Sequence, residues 1–161
     1  QLDLELSAYR SDVHDLIAFQ GLNNKAINID QAQIEGAEAT LNARYGAWSW
    51  RAQGTWTRAV NANTGLALLR RPKLKGSFDV RYQFDNQADI GLSLGAAGER
   101  PDFGSALSGY GRLDLTAAWP ISSQWRLEGR LENLLDRDYQ LVNGYNTPER
   151  SLFVRLSYIG K

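Results

Sequence analysis

The sequence predicts an all-β protein, an antiparallel transmembrane β-barrel meander of about eight strands. Three observations carry this. Apolar and polar residues alternate with period two almost throughout, and no segment sustains a helical period. The connections are short and long in turn, so one end of the sheet carries tight turns and the other long polar loops. Outer-membrane barrels sort their connections this way, with short turns toward the periplasm and long loops outside. The large aromatics cluster beside the short turns, where amphipathic rings suit a headgroup layer.

The first strand is expected near Leu2–Val13, with Leu2, Leu4, Leu6 and Ala8 on one face. The second lies near Ala32–Tyr45, with Ala37, Ala39, Leu41, Ala43 and Tyr45 aligned. Trp48, Trp50, Ala52, Gly54 and Trp56 mark the third, near Trp48–Ala59. A fourth near Lys73–Phe84 aligns Leu74, Gly76, Phe78, Val80, Tyr82 and Phe84. The fifth, near Ala88–Ala97, has Ile90, Leu92, Leu94 and Ala96. The sixth, near Tyr110–Trp119, has Leu113, Leu115, Ala117 and Trp119. The seventh, near Trp125–Asn133, has Trp125, Leu127, Gly129 and Leu131, and the eighth has Leu152, Val154, Leu156 and Tyr158. Tight turns fall at Gly46-Ala47, Asp85–Gln87 and Pro120–Gln124. Long loops fall at Asp15–Gln31, Val60–Pro72, Gly98–Gly109 and Leu134–Glu149.

Asp3, Glu5, Glu38, Arg44, Arg51, Lys75, Asp79, Arg81, Asp89, Arg112, Asp114, Arg126, Glu128, Arg130, Glu132 and Arg155 share the face opposite the apolar one. The apolar face is expected to be free of charge within the strands, because a charge at the bilayer midplane costs a few kcal/mol. A soluble β-sandwich or lipocalin-like barrel also alternates. Its core would be poorly filled by Ala37, Ala39, Ala43, Ala52, Gly54, Gly76, Ala117 and Gly129, whereas lipid chains conform to such a surface. Tyr45, Trp48, Phe84, Trp119, Trp125 and Tyr158 flank the short-turn end and are expected to form a membrane-interface girdle.

Composition narrows the function. Lys+Arg and Asp+Glu are both 18, which leaves no electrostatic case for nucleic acid. Cysteine is absent, so disulfides and thiolate metal sites are excluded. The one histidine, His14, makes neither a metal site nor a triad and is expected at the surface. No nucleophile elbow, phosphate loop or zinc motif is present, so neither enzyme activity nor a cofactor is expected. Arg126, Glu128, Arg130 and Glu132 fall on one face at period two, which suits an ion-pair ladder better than an acid/base pair.

The octapeptide "ENLLDRDY" (Glu132–Tyr139) is similar to the Asn-Leu-Phe-Asp-Lys-x-Tyr signature near the end of TonB-dependent outer-membrane receptors. "NGYNTPERSLFVRLSY" resembles the last loop and strand of that family, nearest its vitamin B12 (cobalamin) receptors. "LLRRPK" (Leu68–Lys73) and "NIDQAQIEGAEATL" (Asn28–Leu41) resemble two further segments, the latter with Ile34, Gly36 and Glu38 in place. The resemblance implies a barrel of about 22 strands with an N-terminal plug, driven by TonB. On that footing residues 1–161 are expected to be the C-terminal eight-strand part of such a receptor, or the product of a gene fragment, without the plug. Its last strand departs from the family's usual terminal aromatic by ending on Gly160 and Lys161.

The implied partners are outer-membrane lipid, the remaining barrel and plug, TonB through that plug, and cobalamin or a similar large scarce nutrient. An iron siderophore is the alternative ligand, and a small standalone eight-stranded outer-membrane barrel of structural role the alternative architecture. Binding would fall to the long loops. Tyr139, Asn143, Tyr145 and Asn146 are the candidates in the last loop, Arg70 and Arg71 in the second, Arg100 and Phe103 in the third. Each could equally serve to order its loop, and Arg70 and Arg71 could meet lipopolysaccharide phosphates.

Overall fold

The structure, a computed structural model, describes residues 1–19, 25–29 and 31–160. Asp30, within the Asn28–Leu41 segment, and Lys161 lie outside the described residues. The strands are β1 (Leu2–His14), β2 (Ile17–Phe19), β3 (Ala26–Asn28), β4 (Gln31–Tyr45), β5 (Trp48–Asn61), β6 (Leu74–Gln83), β7 (Asp89–Ala97), β8 (Arg100–Pro101), β9 (Ala106–Leu107), β10 (Tyr110–Pro120), β11 (Trp125–Glu132) and β12 (Ser151–Tyr158). Among the described residues there is no helix.

Eight long strands form one antiparallel sheet in the order β1-β4-β5-β6-β7-β10-β11-β12, so every neighbour in the sheet is the next long strand of the chain. The sheet is open, with β1 and β12 at its two edges. The other four strands are short hairpins inside loops, β2 with β3 and β8 with β9. The all-β meander expected from alternation is therefore present. The short hairpins were not legible in it, because two or three residues carry no periodicity.

Register turns the alternation into two chemically distinct surfaces. One row of paired residues, Leu2–Ala43–Trp50–Val80–Leu92–Leu115–Leu131–Leu152, crosses all eight long strands without a polar residue. The next row on the other face, Asp3–Asn42–Arg51–Asp79–Ser93–Asp114, is polar throughout. Cavities lie against this polar face, which makes it the hollow side of the sheet. One, of about 510 Å³, is lined by Asp3, Arg44, Arg51, Asp79 and Arg81 among others. A slip of one residue in any pair would carry charges onto the apolar side, so the turns and the pattern specify the same register. Tyr45 and Trp48 pair across Gly46-Ala47, and Gly46 takes the left-handed φ of +56° that so tight a turn requires.

At the short-turn end the aromatics touch. Trp48 meets Tyr82 at 4.8 Å, Tyr82 meets Phe84 at 4.8 Å, and Trp125 meets Tyr158 at 4.9 Å. Tyr82 thus joins the six aromatics already assigned to that end.

The loop end departs from expectation. Strands β1, β4 and β5 continue past the apolar band, and there the apolar side does carry charge. Arg10, Glu35 and Arg58 are paired neighbours on it, with Arg58 bonded to Glu35 at 3.1 Å. Beside them Arg10 pairs with Asp12 at 3.7 Å. The physical reason is solvation, since Arg10 and Arg58 are exposed at the loop end, where charge can be held on either face. On the hollow side the composition inverts as well. Ala32, Ala59, Ile34 and Val13 pack there with Ile29, Leu16 and Leu68 from the loops, making a small buried core.

Candidate functional site

The charged face is a ladder of ion pairs. Asp89, nearly buried, sits between Arg126 at 2.6 Å and Arg81 at 3.5 Å. Arg126 continues to Glu128 at 3.6 Å, and Glu128 to Arg155 at 3.4 Å. Arg130 pairs with Glu132 at 3.1 Å and lies over the Phe153 ring at 4.8 Å. Every carboxylate in this run has a cation beside it, so the ladder is an internally satisfied wall rather than an acid/base pair. Towards the loops the wall opens on a cavity of about 470 Å³ lined by Glu38, Lys75, Tyr110, Arg112, Tyr139 and Leu141 among others.

Over that cavity the loops after β5, β7 and β11 converge on Asp102, whose side chain is fully buried. Asp102 Oδ1 accepts from Arg70 Nε at 2.9 Å and from the Phe103 amide at 2.8 Å, and Oδ2 accepts from the Asn143 amide at 2.6 Å. Burial alone would raise its pKa. The two backbone donors and Arg70 outweigh that and hold it below the ordinary carboxylate value. Asn143 Nδ2 also donates to the Phe103 carbonyl at 3.0 Å, and Arg70 lies 5.8 Å from the Phe103 ring centre. Arg100 donates to the Gln140 carbonyl and rests over Tyr110 at 5.5 Å, while its Nη1 is buried without a hydrogen-bond partner. Tyr110 in turn stacks on Tyr139 at 4.4 Å.

The structure therefore gathers Arg70, Arg100, Phe103, Asn143 and Tyr139 into one loop assembly. It leaves Tyr145 apart, 70% exposed, while Asn146 borders the assembly in a small pocket shared with Tyr139 and Gln140, and Arg71 borders it in a cavity shared with Arg100, Arg58 and Lys73. Asp102, the residue that joins three loops, was missed in the sequence, where an Asp after a proline reads only as a turn. Among the gathered residues, Arg70, Arg100 and Asn143 spend their hydrogen bonds on other loops. Tyr139 keeps a ring on the cavity, beside Arg112, which also reaches its hydroxyl.

The "ENLLDRDY" segment explains how Tyr139 is held there. Asn133, at φ +50°, is almost fully buried. Its amide donates to Asp114 Oδ1 at 2.9 Å, its Oδ1 accepts from the Arg137 amide at 2.9 Å, and its Nδ2 donates to the Arg137 carbonyl at 3.0 Å. Asp136 Oδ1 accepts from the Arg150 amide at 2.8 Å and so ties the same turn to the approach of β12. Asn suits the position because it tolerates left-handed backbone and offers a donor and an acceptor at once.

A family model described as TonB dependent receptor-like, beta-barrel matches residues 1–134. Among solved structures, the chain resembles the copper transporter OprC with a TM-score of 0.81 at 21% identity, over 98% of this chain and 29% of that one. It resembles the ferric-catecholate import receptor Fiu of K12 E. coli with a TM-score of 0.78 at 18% identity, over 98% of this chain and 25% of that one. The pyoverdine outer-membrane receptor FpvA of Pseudomonas aeruginosa PAO1 gives 0.79 at 16% identity, over 99% and 27%. At these identities the likeness is one of fold, and the chain spans less than a third of the length of each structure.

Proposed function

We propose, from the premise that the chain belongs to the TonB-dependent receptor β-barrel family, that it forms part of the wall and mouth of an outer-membrane receptor importing a scarce metal-bearing nutrient. The observation that carries this is the pairing of an apolar row across eight strands with a polar, cavity-bearing face behind it. The first suits hydrocarbon and the second a wet lumen. Residues 1–161 are read as a C-terminal segment of a larger barrel, completed by further strands and a plug, with TonB acting through that plug. The unpaired edges of β1 and β12 favour this over a standalone barrel, because a bilayer leaves no water to satisfy an open edge.

Tyr139 and Tyr110, with Arg112 and Lys75 nearby, offer aromatic faces and positive charge over the cavity. That pairing suits an anionic metal chelate that carries aromatic rings. The related folds named for ferric-catecholate and pyoverdine uptake point the same way, so a ferric siderophore is the leading ligand. Cobalamin is the second reading and rests on the likeness of the last loop and strand to that branch of the family. Titrating a ferric catecholate, a ferric hydroxamate and cobalamin against the purified receptor separates them. A ferric chelate should bind, and Tyr139→Ala should weaken it roughly tenfold. Binding of cobalamin alone would reverse the order of the two readings. Binding of neither, or indifference to Tyr139→Ala, would remove the assignment of this cavity.

A further inference from the structure

The positive charge beside the Tyr139 cavity is offset where it stands. Arg112 is held by Asp114 at 2.8 Å, and Lys75 shares the cavity lining with Glu38. The other residues of the lining are neutral. The groups that border the cavity therefore exert no net pull on an anion, and a preference for one has to come from behind them.

Arg100 stands there. It is 4% exposed and has no ion-pair partner among the described residues. Its Nη2 donates to the Gln140 carbonyl, its Nη1 has no partner, and its guanidinium carbon lies 5.5 Å from the centre of the Tyr110 ring. Its neighbours differ. Arg70 is paired with Asp102, while Arg71 and Lys73, which share a cavity with Arg100, are exposed and screened by water. Among the described residues of the loop assembly, Arg100 is the buried cation without a counter-charge.

A sealed charge acts further than a wetted one. Tyr110 stacks on Tyr139 at 4.4 Å, and both rings line the cavity. The guanidinium is therefore no more than about 10 Å from the Tyr139 ring. In poorly solvated protein, a unit charge at that distance changes the affinity for each charge on a ligand by roughly tenfold. Salt weakens the effect little, because mobile ions do not enter the space between.

We propose that Arg100 makes this cavity select chelates by their negative charge, acting through its buried guanidinium and the Tyr110 ring rather than by touching the ligand. The proposal rests on the reading of the cavity as the ligand site. It names the ligand class as a metal chelate of net negative charge. It also separates Arg100 from Arg70, whose charge is paired with Asp102.

The test is titration of the intact receptor with one tris-catecholate ligand loaded with iron(III) or with titanium(IV). The two complexes share rings and shape, and the iron complex carries one more unit of negative charge. The unmutated protein should bind the iron complex roughly tenfold more tightly, and the ratio should hold as ionic strength rises from about 0.05 to 0.5 M. R100Q should bring the ratio close to one. R100K, which keeps the charge and loses the planar fork, should restore most of it. If R100Q weakens both complexes equally and leaves the ratio intact, Arg100 serves only packing and the proposal is overturned. Where R100Q does not fold, the unmutated protein still decides: a ratio near one, or one that collapses at the higher salt, overturns the proposal while the cavity stands as the ligand site. If neither complex binds, the ligand reading falls and the proposal with it.

Discussion

The two ends of the sheet obey opposite rules. Beside the short turns and through the middle of the strands, apolar residues face outward and charges face the hollow side. At the loop end Arg10, Asp12, Glu35 and Arg58 face outward, while Ile29, Ala32, Ala59 and Leu68 are buried on the hollow side. Alternation reports only which face meets which solvent. Through the middle of the strands, where cavities lie on the hollow side, it reads one way. Where folded loops fill the hollow side, the same backbone reads the other way.

The sharpest way to break this comparison is to add a charge to the apolar part of the outer face and to remove one at its loop end. Leu92→Arg sits in the apolar row across all eight strands and should cost about 2–4 kcal/mol in refolding into lipid vesicles. Arg58→Leu, at the loop end, should change stability by less than about 1 kcal/mol. Equal costs would mean that the two ends share one solvent. Leu68→Ala probes the inverted core and should cost about 2 kcal/mol, less than a deep core position because the surrounding cluster is small. The loss should register as faster hydrogen exchange at the Leu68 and Ala59 amides, with Leu4 and Val80 unchanged. A global loss instead would show that the loop core and the sheet unfold as one.

Asn133→Ala removes the hub of the turn after β11 and should cost about 1–2 kcal/mol, with the last loop exchanging faster. Asn133→Asp, which keeps the left-handed preference and the acceptor, should cost less. Equal effects would mean that the Nδ2 donor is the group that counts. The smallest effect is that of acid on the loop assembly. Asp102 has a folded pKa below its ordinary 3.8, so its contribution is present in full above that value and fades as pH falls through the lowered one. Protease nicking of the Gly98–Gly109 and Leu134–Glu149 loops should accordingly rise only in strong acid and be unchanged between pH values of about 5 and 8. Asp102→Asn should show the same nicking at neutral pH.

The strands were legible because each repeats one decision many times. Leu92, Leu94 and Ala96 all lie on the same apolar face, and register then follows from the next strand doing likewise. The loop assembly was only half legible. Tyr139, Arg100, Phe103, Arg70 and Asn143 stood out as chemically suitable residues, but nothing in their spacing says that Arg70 and Asn143 meet on one carboxylate. Arg10, Glu35 and Arg58 share the outward parity of Leu6, Ala37 and Trp56, and alternation alone does not say that the surroundings of that face change between them.

The sequence by itself determined the all-β class, the eight long strands, their nearest-neighbour order and which face of each holds the charges. A period of two and a two-residue turn are local properties, and they leave one register that keeps charge off the apolar face. Only the tertiary structure decided where along β1, β4 and β5 that rule ends, that Asp102 joins three loops, and that Arg58, Arg71, Lys73 and Arg100 line one cavity. Those facts depend on loop paths, and a loop's path is set by side chains brought from distant parts of the chain rather than by any repeat within it.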